Sequence, residues 1–251
     1  MDIQYWSDLH LEFASNRDYL AANALTPSAD LLLLAGDIIP FQRMKEAMGF
    51  FDFVSDSFEQ VYWVPGNHEY YRSDINHRTG EISERIRSNV SLVNNVSVEH
   101  KGVRLVFSTL WTRISPEKES VITRGMADFH LITDKDKKLS ASRYNGLHEK
   151  ARDFLLRELQ IKRPRTIVVS HHVPTFYNYP EKYAESDLNQ GFAVELYDLV
   201  ADSNADFWIS GHTHEVVSDF TIGSTVLTSN QLGYVDYNEH LNFRPGKVLT
   251  L

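Results

Sequence analysis

At 251 residues, 42% of them apolar and 24% charged, the chain has the length and composition of one large globular domain with a buried core. It contains no cysteine, which excludes disulfides and thiolate metal ligands. Its net charge of −9 argues against general nucleic-acid affinity but not against an anionic substrate, because two divalent ions would add about +4 locally.

The opening residues Met1-Asp2-Ile3-Gln4-Tyr5-Trp6 show neither a basic leader nor an apolar segment of signal length. No run approaches the roughly 18 apolar residues of a membrane helix. The expectation is therefore a cytoplasmic protein without a membrane partner. In chain order, Ile3–Trp6 reads as a buried strand ending in Ser7-Asp8-Leu9-His10, and Leu31–Ala35 as another ending in Gly36-Asp37. Met44, Ala47, Met48, Phe51, Val54 and Phe58 recur at helical spacing, so a helix is expected from about 41 to 59. Val61–Val64 is a strand leading into Pro65-Gly66-Asn67-His68, and a short helix is expected from about 80 to 88. Val96–His100 and Val103–Phe107 read as a strand pair. The polar stretch 113–142 reads either as a solvated insertion or as a lid beside the active site. A second helix covers Tyr144, Leu147, Ala151, Phe154, Leu155 and Leu159, followed by strands at Thr166–Val169 and Asp206–Ile209 and a pair at Phe220–Ile222 and Val226–Ser229. Strands alternating with helices imply a layered α/β domain.

Five strand ends deliver Asp, Asn or His, and the carboxyl ends of strands are where open α/β sheets bind ligands. Asp8 and His10 sit two apart, so an extended chain would lean both to one side, although such a triplet alone is weak evidence of a metal. Asp37 by itself reads equally well as a turn or cap residue. Gly66-Asn67-His68-Glu69 offers an amide oxygen and an imidazole beside a glycine that permits close approach. His171-His172 ends a strand, and Gly211-His212-Thr213-His214 places two imidazoles on one side of an extended segment. Six of the eleven histidines fall in these motifs; His77, His100, His130, His148 and His240 read as surface or loop residues. Carboxylate, amide and imidazole without sulfur suit Mn, Fe, Zn, Co or Ni rather than Cu(I).

Together, Asp8-x-His10, Gly36-Asp37, Gly66-Asn67-His68-Glu69, His171 and Gly211-His212-x-His214 resemble the calcineurin-like metallophosphoesterases, in the family order and across residues 8–214. The resemblance implies a four-layer α-β-β-α sandwich of two mixed β-sheets flanked by helices, with 1–251 as one domain. It implies two divalent ions, the first on Asp8, His10 and His214, the second on Asn67, His171 and His212, with Asp37 bridging. A bridging hydroxide would attack the phosphorus while His68, not a ligand, assists the leaving group. Asn67 and His68 would face the substrate; Tyr70 and Tyr71 are further candidates, with packing expected of at least one, and His172 is expected either to face the substrate or to support the ligands from behind. Ser229-Asn230-Gln231-Leu232-Gly233-Tyr234 resembles an Asn-Pro-Arg-Gly-Tyr stretch of small bacterial members, with Gln231 and Leu232 in place of Pro and Arg, and Met126-Ala127-Asp128-Phe129 resembles another of their segments. The substrate expected is a small phosphate ester, a diester ahead of a monoester. A nuclease on the same core is the alternative, disfavoured by the net charge. A non-enzymatic scaffold is disfavoured because every motif position is intact. Oligomeric state is not legible.

Overall fold

Apolar runs without alternation are what strands covered on both faces require. In the computed structural model, which describes all 251 residues, the elements run β1 (Asp2–Trp6), α1 (Ala14–Ala22), β2 (Leu31–Ala35), α2 (Met48–Ser57), β3 (Gln60–Val64), β4 (Ile82–Arg87), β5 (Val90–Asn94), β6 (Val96–His100) and β7 (Val103–Ser108). They continue through α3 (Pro116–Gly125), α4 (Asp128–Leu131), β8 (Thr133–Asp134), β9 (Lys137–Lys138), α5 (Ala141–Gln160), β10 (Thr166–Ser170), α6 (Tyr197–Ser203), β11 (Phe207–Ile209), β12 (Phe220–Ile222), β13 (Thr225–Thr228) and β14 (Val248–Thr250).

Two six-stranded sheets result, ordered β14-β1-β2-β3-β5-β4 and β12-β13-β11-β10-β7-β6. In each, four central strands are parallel and both edge strands antiparallel, so both sheets are mixed. Alternate residues divide the core. Leu31, Leu33 and Ala35 meet Leu105, Phe107, Ile167 and Val169 between the sheets. Leu32 and Leu34 turn outward onto Phe51 and Val54 of α2, while Val106, Val168 and Trp208 pack on Phe154 and Leu155 of α5. The result is the four-layer α-β-β-α sandwich.

Two expectations change. The helix expected at 80–88 is β4, which pairs antiparallel with β5 across a two-residue turn. Its Ile82 and Ile86, four apart, fit one helix face and one strand face equally well, and the sheet edge decided between them. The helix expected at 41–59 begins as a 3₁₀ segment, Phe41–Ala47, and becomes α-helical from Met48. Residues 113–142 fold as α3, α4 and the β8–β9 hairpin over their own cluster, including Trp111, Ile122, Phe129 and Tyr144. No helix is long and apolar enough to cross a membrane.

Leu33 is fully buried between the sheets. Leu33→Ala is expected to cost about 2–5 kcal/mol, seen as a lower urea midpoint with an unchanged slope. An unshifted midpoint would contradict the packing of that layer.

Candidate dinuclear metal site

Strands β1, β2, β3, β10 and β11 send the chain out at one edge of the sandwich, and there it turns sharply. Asp8, His10, Asp37, His212 and His214 have φ of 55°, 46°, 55°, 77° and 53°, the left-handed region that non-glycine residues seldom occupy. This corrects the extended geometry expected for the Asp8/His10 and His212/His214 triplets. In an extended chain, residues two apart are separated by about 7 Å. The left-handed turns fold each triplet back, so that ligand atoms of Asp8, His10, Asp37 and His214 lie within 4.8 Å of one another. Backbone bonds hold the turns: Asp8 N–H donates to Gly36 O (2.9 Å) and His10 N–H to Asp37 O (2.9 Å). Such backbone costs on the order of 1–3 kcal/mol per residue and survives where its surroundings over-determine it.

A second group, Asp37, His171 and His212, meets the same distance limit, and Asp37 belongs to both. Asp37 Oδ2 lies 3.8 Å from His10 Nε2 and 3.4 Å from His171 Nε2, is buried, and receives no hydrogen bond. The outer ring nitrogens decide what the inner ones are. His10 Nδ1 meets Glu12 Oε1 at 3.1 Å, His171 Nδ1 meets Ala35 O at 2.9 Å, and His214 Nδ1 meets Glu239 Oε2 at 2.7 Å. These oxygens only accept, so each outer nitrogen carries the proton and each inner nitrogen of the neutral ring presents a lone pair. His212 does the same in the other sense, with Nε2 3.3 Å from Gly191 O. Bare lone pairs then face one another, His10 Nε2 to His214 Nε2 at 2.9 Å and His171 Nε2 to His212 Nδ1 at 3.1 Å. That arrangement is repulsive unless a proton or a metal cation sits between, and anchoring through the far nitrogen is how a metal-binding histidine is usually held.

Asn67 completes the second group. Its Nδ2 donates to Asp128 Oδ1 (2.8 Å), which leaves Oδ1 facing His171 Nε2 at 3.1 Å. Glycines make the room: a Cβ on Gly66 would lie 2.2 Å from Asp37 Oδ1, and one on Gly36, at φ +90°, 2.3 Å from His171 Nδ1. The field gathers positive charge. Burial would raise the Asp37 carboxyl, but His171, His68 and His10 outweigh it and hold it well below the usual carboxylate range. The residues present therefore fit two divalent cations.

A calcineurin-like phosphoesterase family model matches residues 5–216. The chain belongs to that family. An uncharacterized protein of Acanthamoeba polyphaga mimivirus is 30% identical over 97% of this chain and 94% of its own length. Among solved structures, the phosphopantetheinyl hydrolase of Mycobacterium tuberculosis superposes with a TM-score of 0.66 at 20% identity, covering 92% of this chain and 89% of the other; at that identity the likeness is one of fold.

This family member brings all of the sequence-predicted ligand positions together, with His68 beside them. Tyr70 is corrected: its ring is buried against Phe41 and Trp111, and Tyr71 instead lines the site cavity. Of the two roles expected of His172, the substrate-facing one is excluded. His172 is fully buried behind His171, with Nδ1 at 3.1 Å from Thr109 O, and does not reach the cavity. His148, read as surface, is buried in α5 and donates from Nδ1 to Trp111 O (2.7 Å).

Several residues that matter gave little sequence signal. Glu12 Oε1 accepts from both His10 and His68 Nδ1 (3.0 Å). Glu69 accepts from four N–H groups, those of Asp37, Ile38, Gly66 and the Trp63 indole, and so ties the ends of β2 and β3 together. Tyr234 OH lies 3.2 Å from His68 Nε2. Gln231 accepts from His214 N–H through Oε1 (2.7 Å) and donates to Glu215 O (3.1 Å), so it anchors the His214 turn. Asp128 and Tyr234 lie in stretches whose resemblance was visible; their roles were not.

Asp128 fixes which atom Asn67 turns inward. Asp128→Ala should weaken binding of the more loosely held ion by about 10–100-fold, read by Mn²⁺ titration calorimetry. Two unaltered affinities would rule this out.

Proposed function

We propose that the chain is a dinuclear metal-dependent hydrolase of a small-molecule phosphodiester. Asp8, His10 and His214 hold one divalent ion, Asn67, His171 and His212 the other, and Asp37 bridges them. The observation that carries the diester reading is the charge of the cavity over these residues. Its volume is about 350 Å³, its acids are Asp37, Asp128 and Glu239, and no Lys or Arg lines it. A phosphomonoester carries close to two negative charges at neutral pH, a diester one. With no guanidinium or ammonium to share the load, the single charge is the better match. Exposed Glu181 and Glu185, on either side in sequence of the cavity-lining Tyr183, are adverse to a polynucleotide.

When bound, the two ions acidify water and neutralise phosphoryl oxygens, as such centres do generally. The chain's own contribution is orientation and a proton. His68 is held from three directions: its N–H donates to Asp37 Oδ1 (2.9 Å), its Nδ1 to Glu12, and its ring stacks 4.0 Å from that of Tyr71. Burial disfavours the charged ring, but Asp37 and Glu12 outweigh it and raise the His68 pKa. With Nδ1–H held by Glu12, the imidazolium can give its Nε2 proton, directed into the cavity beside Tyr234 OH, to a leaving oxygen and return to the neutral ring.

His68→Ala should retain both ions and lose roughly 10²–10⁴-fold in turnover. Loss of the ions with His68 would mean that it is a ligand and not the acid. Metal-stripped protein resupplied with Mn²⁺ is expected to hydrolyse bis-p-nitrophenyl phosphate in preference to p-nitrophenyl phosphate, and Asp37→Asn to abolish the activity together with metal retention. Preference for the monoester would move the assignment to phosphomonoesterase. No turnover with any divalent ion would overturn it.

A further inference from the structure

Beyond the ligands, the cavity is walled by two segments that come from opposite sides of the edge. Gly125-Met126-Ala127-Asp128, at the end of α3, forms one wall, and residues 179–192, between β10 and α6, form the other. The walls touch at two glycines and part elsewhere to enclose the cavity. A Cβ on Gly191 would lie 2.0 Å from Met126 Sδ, and one on Gly125 2.9 Å from Leu188. Tyr179, Tyr183, Leu188 and Phe192 are half-buried in the second wall, and Phe192 stacks on His212 at 4.6 Å and 25°.

The chemistry of these walls is lopsided. Rings and aliphatic groups line them together with the uncharged Ser186 and Asn189, and apart from the histidines of the site the charged groups at the cavity are acidic. The nearest ammonium, Lys182, pairs with Glu215 and does not line the cavity. A second phosphate or carboxylate on the substrate would face Asp128 or Glu239 with no counter-charge, whereas an uncharged ring would bury its faces against tyrosine and leucine. The volume, near the lower end of ligand pockets, accommodates a phosphoryl group and about one ring system rather than a polymer.

We infer that this cavity selects esters carrying an uncharged aromatic arm, held between Met126 on one wall and Tyr183 and Leu188 on the other. The inference rests on the proposed phosphoesterase site for the phosphoryl end alone, and the test separates the two. The probes are unreactive phosphonates with one arm each: phenylphosphonate, methylphosphonate and 4-carboxyphenylphosphonate. Their binding to Mn²⁺-loaded protein is read by titration calorimetry, with no turnover required. Phenylphosphonate is expected to bind at least about tenfold more tightly than methylphosphonate, the discrimination typical of an apolar pocket. The 4-carboxy compound, with the same ring and an added charge, should bind more weakly than phenylphosphonate. Tyr183→Ala and, separately, Leu188→Ala should erode the phenyl preference and leave methylphosphonate affinity unchanged. Equal affinities for phenyl and methyl arms, tighter binding of the carboxylated ring, or a phenyl preference untouched by both substitutions would overturn the inference. Phenyl selectivity in a protein that cleaves no phosphate ester would uphold the pocket and count against the hydrolase.

Discussion

A carboxylate oxygen, Asp37 Oδ2, is buried between His10 Nε2 and His171 Nε2 with nothing donating to it. Burying an ionised oxygen without a donor costs several kcal/mol unless a cation compensates. Around it, inward nitrogens oppose one another at about hydrogen-bond distance, each unprotonated because its outer nitrogen is bound to an acceptor. The rest of the edge is arranged to sustain this concentration of lone pairs. The two sheets bring five strand ends within reach, and the cores on either face keep those ends from relaxing.

The support is layered outward from Asp37. Glu69 collects four N–H groups and so fixes the loops that carry Asp37 and Asn67. Asp128 turns the Asn67 amide, Glu239 and Gln231 hold His214, and Glu12 couples His10 to His68. Left-handed backbone at five site residues is the conformational cost of turning these side chains into the two adjoining groups. These acids also shape what can approach: the positive charge of the site is confined to the ions it is built to hold, and the walls beyond offer rings and carboxylates.

By itself the sequence determined the layered fold and the candidate ligand set. Doubly buried strands leave continuous apolar runs, and a ligand must sit just after such a run, so position and chemistry coincide in the local order of residues. What only tertiary structure decided is whatever depends on partners distant in the chain. Ile82 and Ile86 suit a helix or a strand until β5 lies beside them. The Asp8 and His214 turns are left-handed because Gly36, Asp37 and Gln231 bind their backbones, a fact absent from either triplet. Tyr70 and Tyr71 are adjacent and chemically alike, yet one packs on Trp111 and the other lines the cavity. Glu12 and Glu239 look like ordinary surface acids in the sequence, and Asp128 lies in a family-like stretch that gives it no role. They became part of the site because hydrogen bonds reach across it, 56 residues from Glu12 to His68 and 61 from Asn67 to Asp128, and separations of that size carry no local signature.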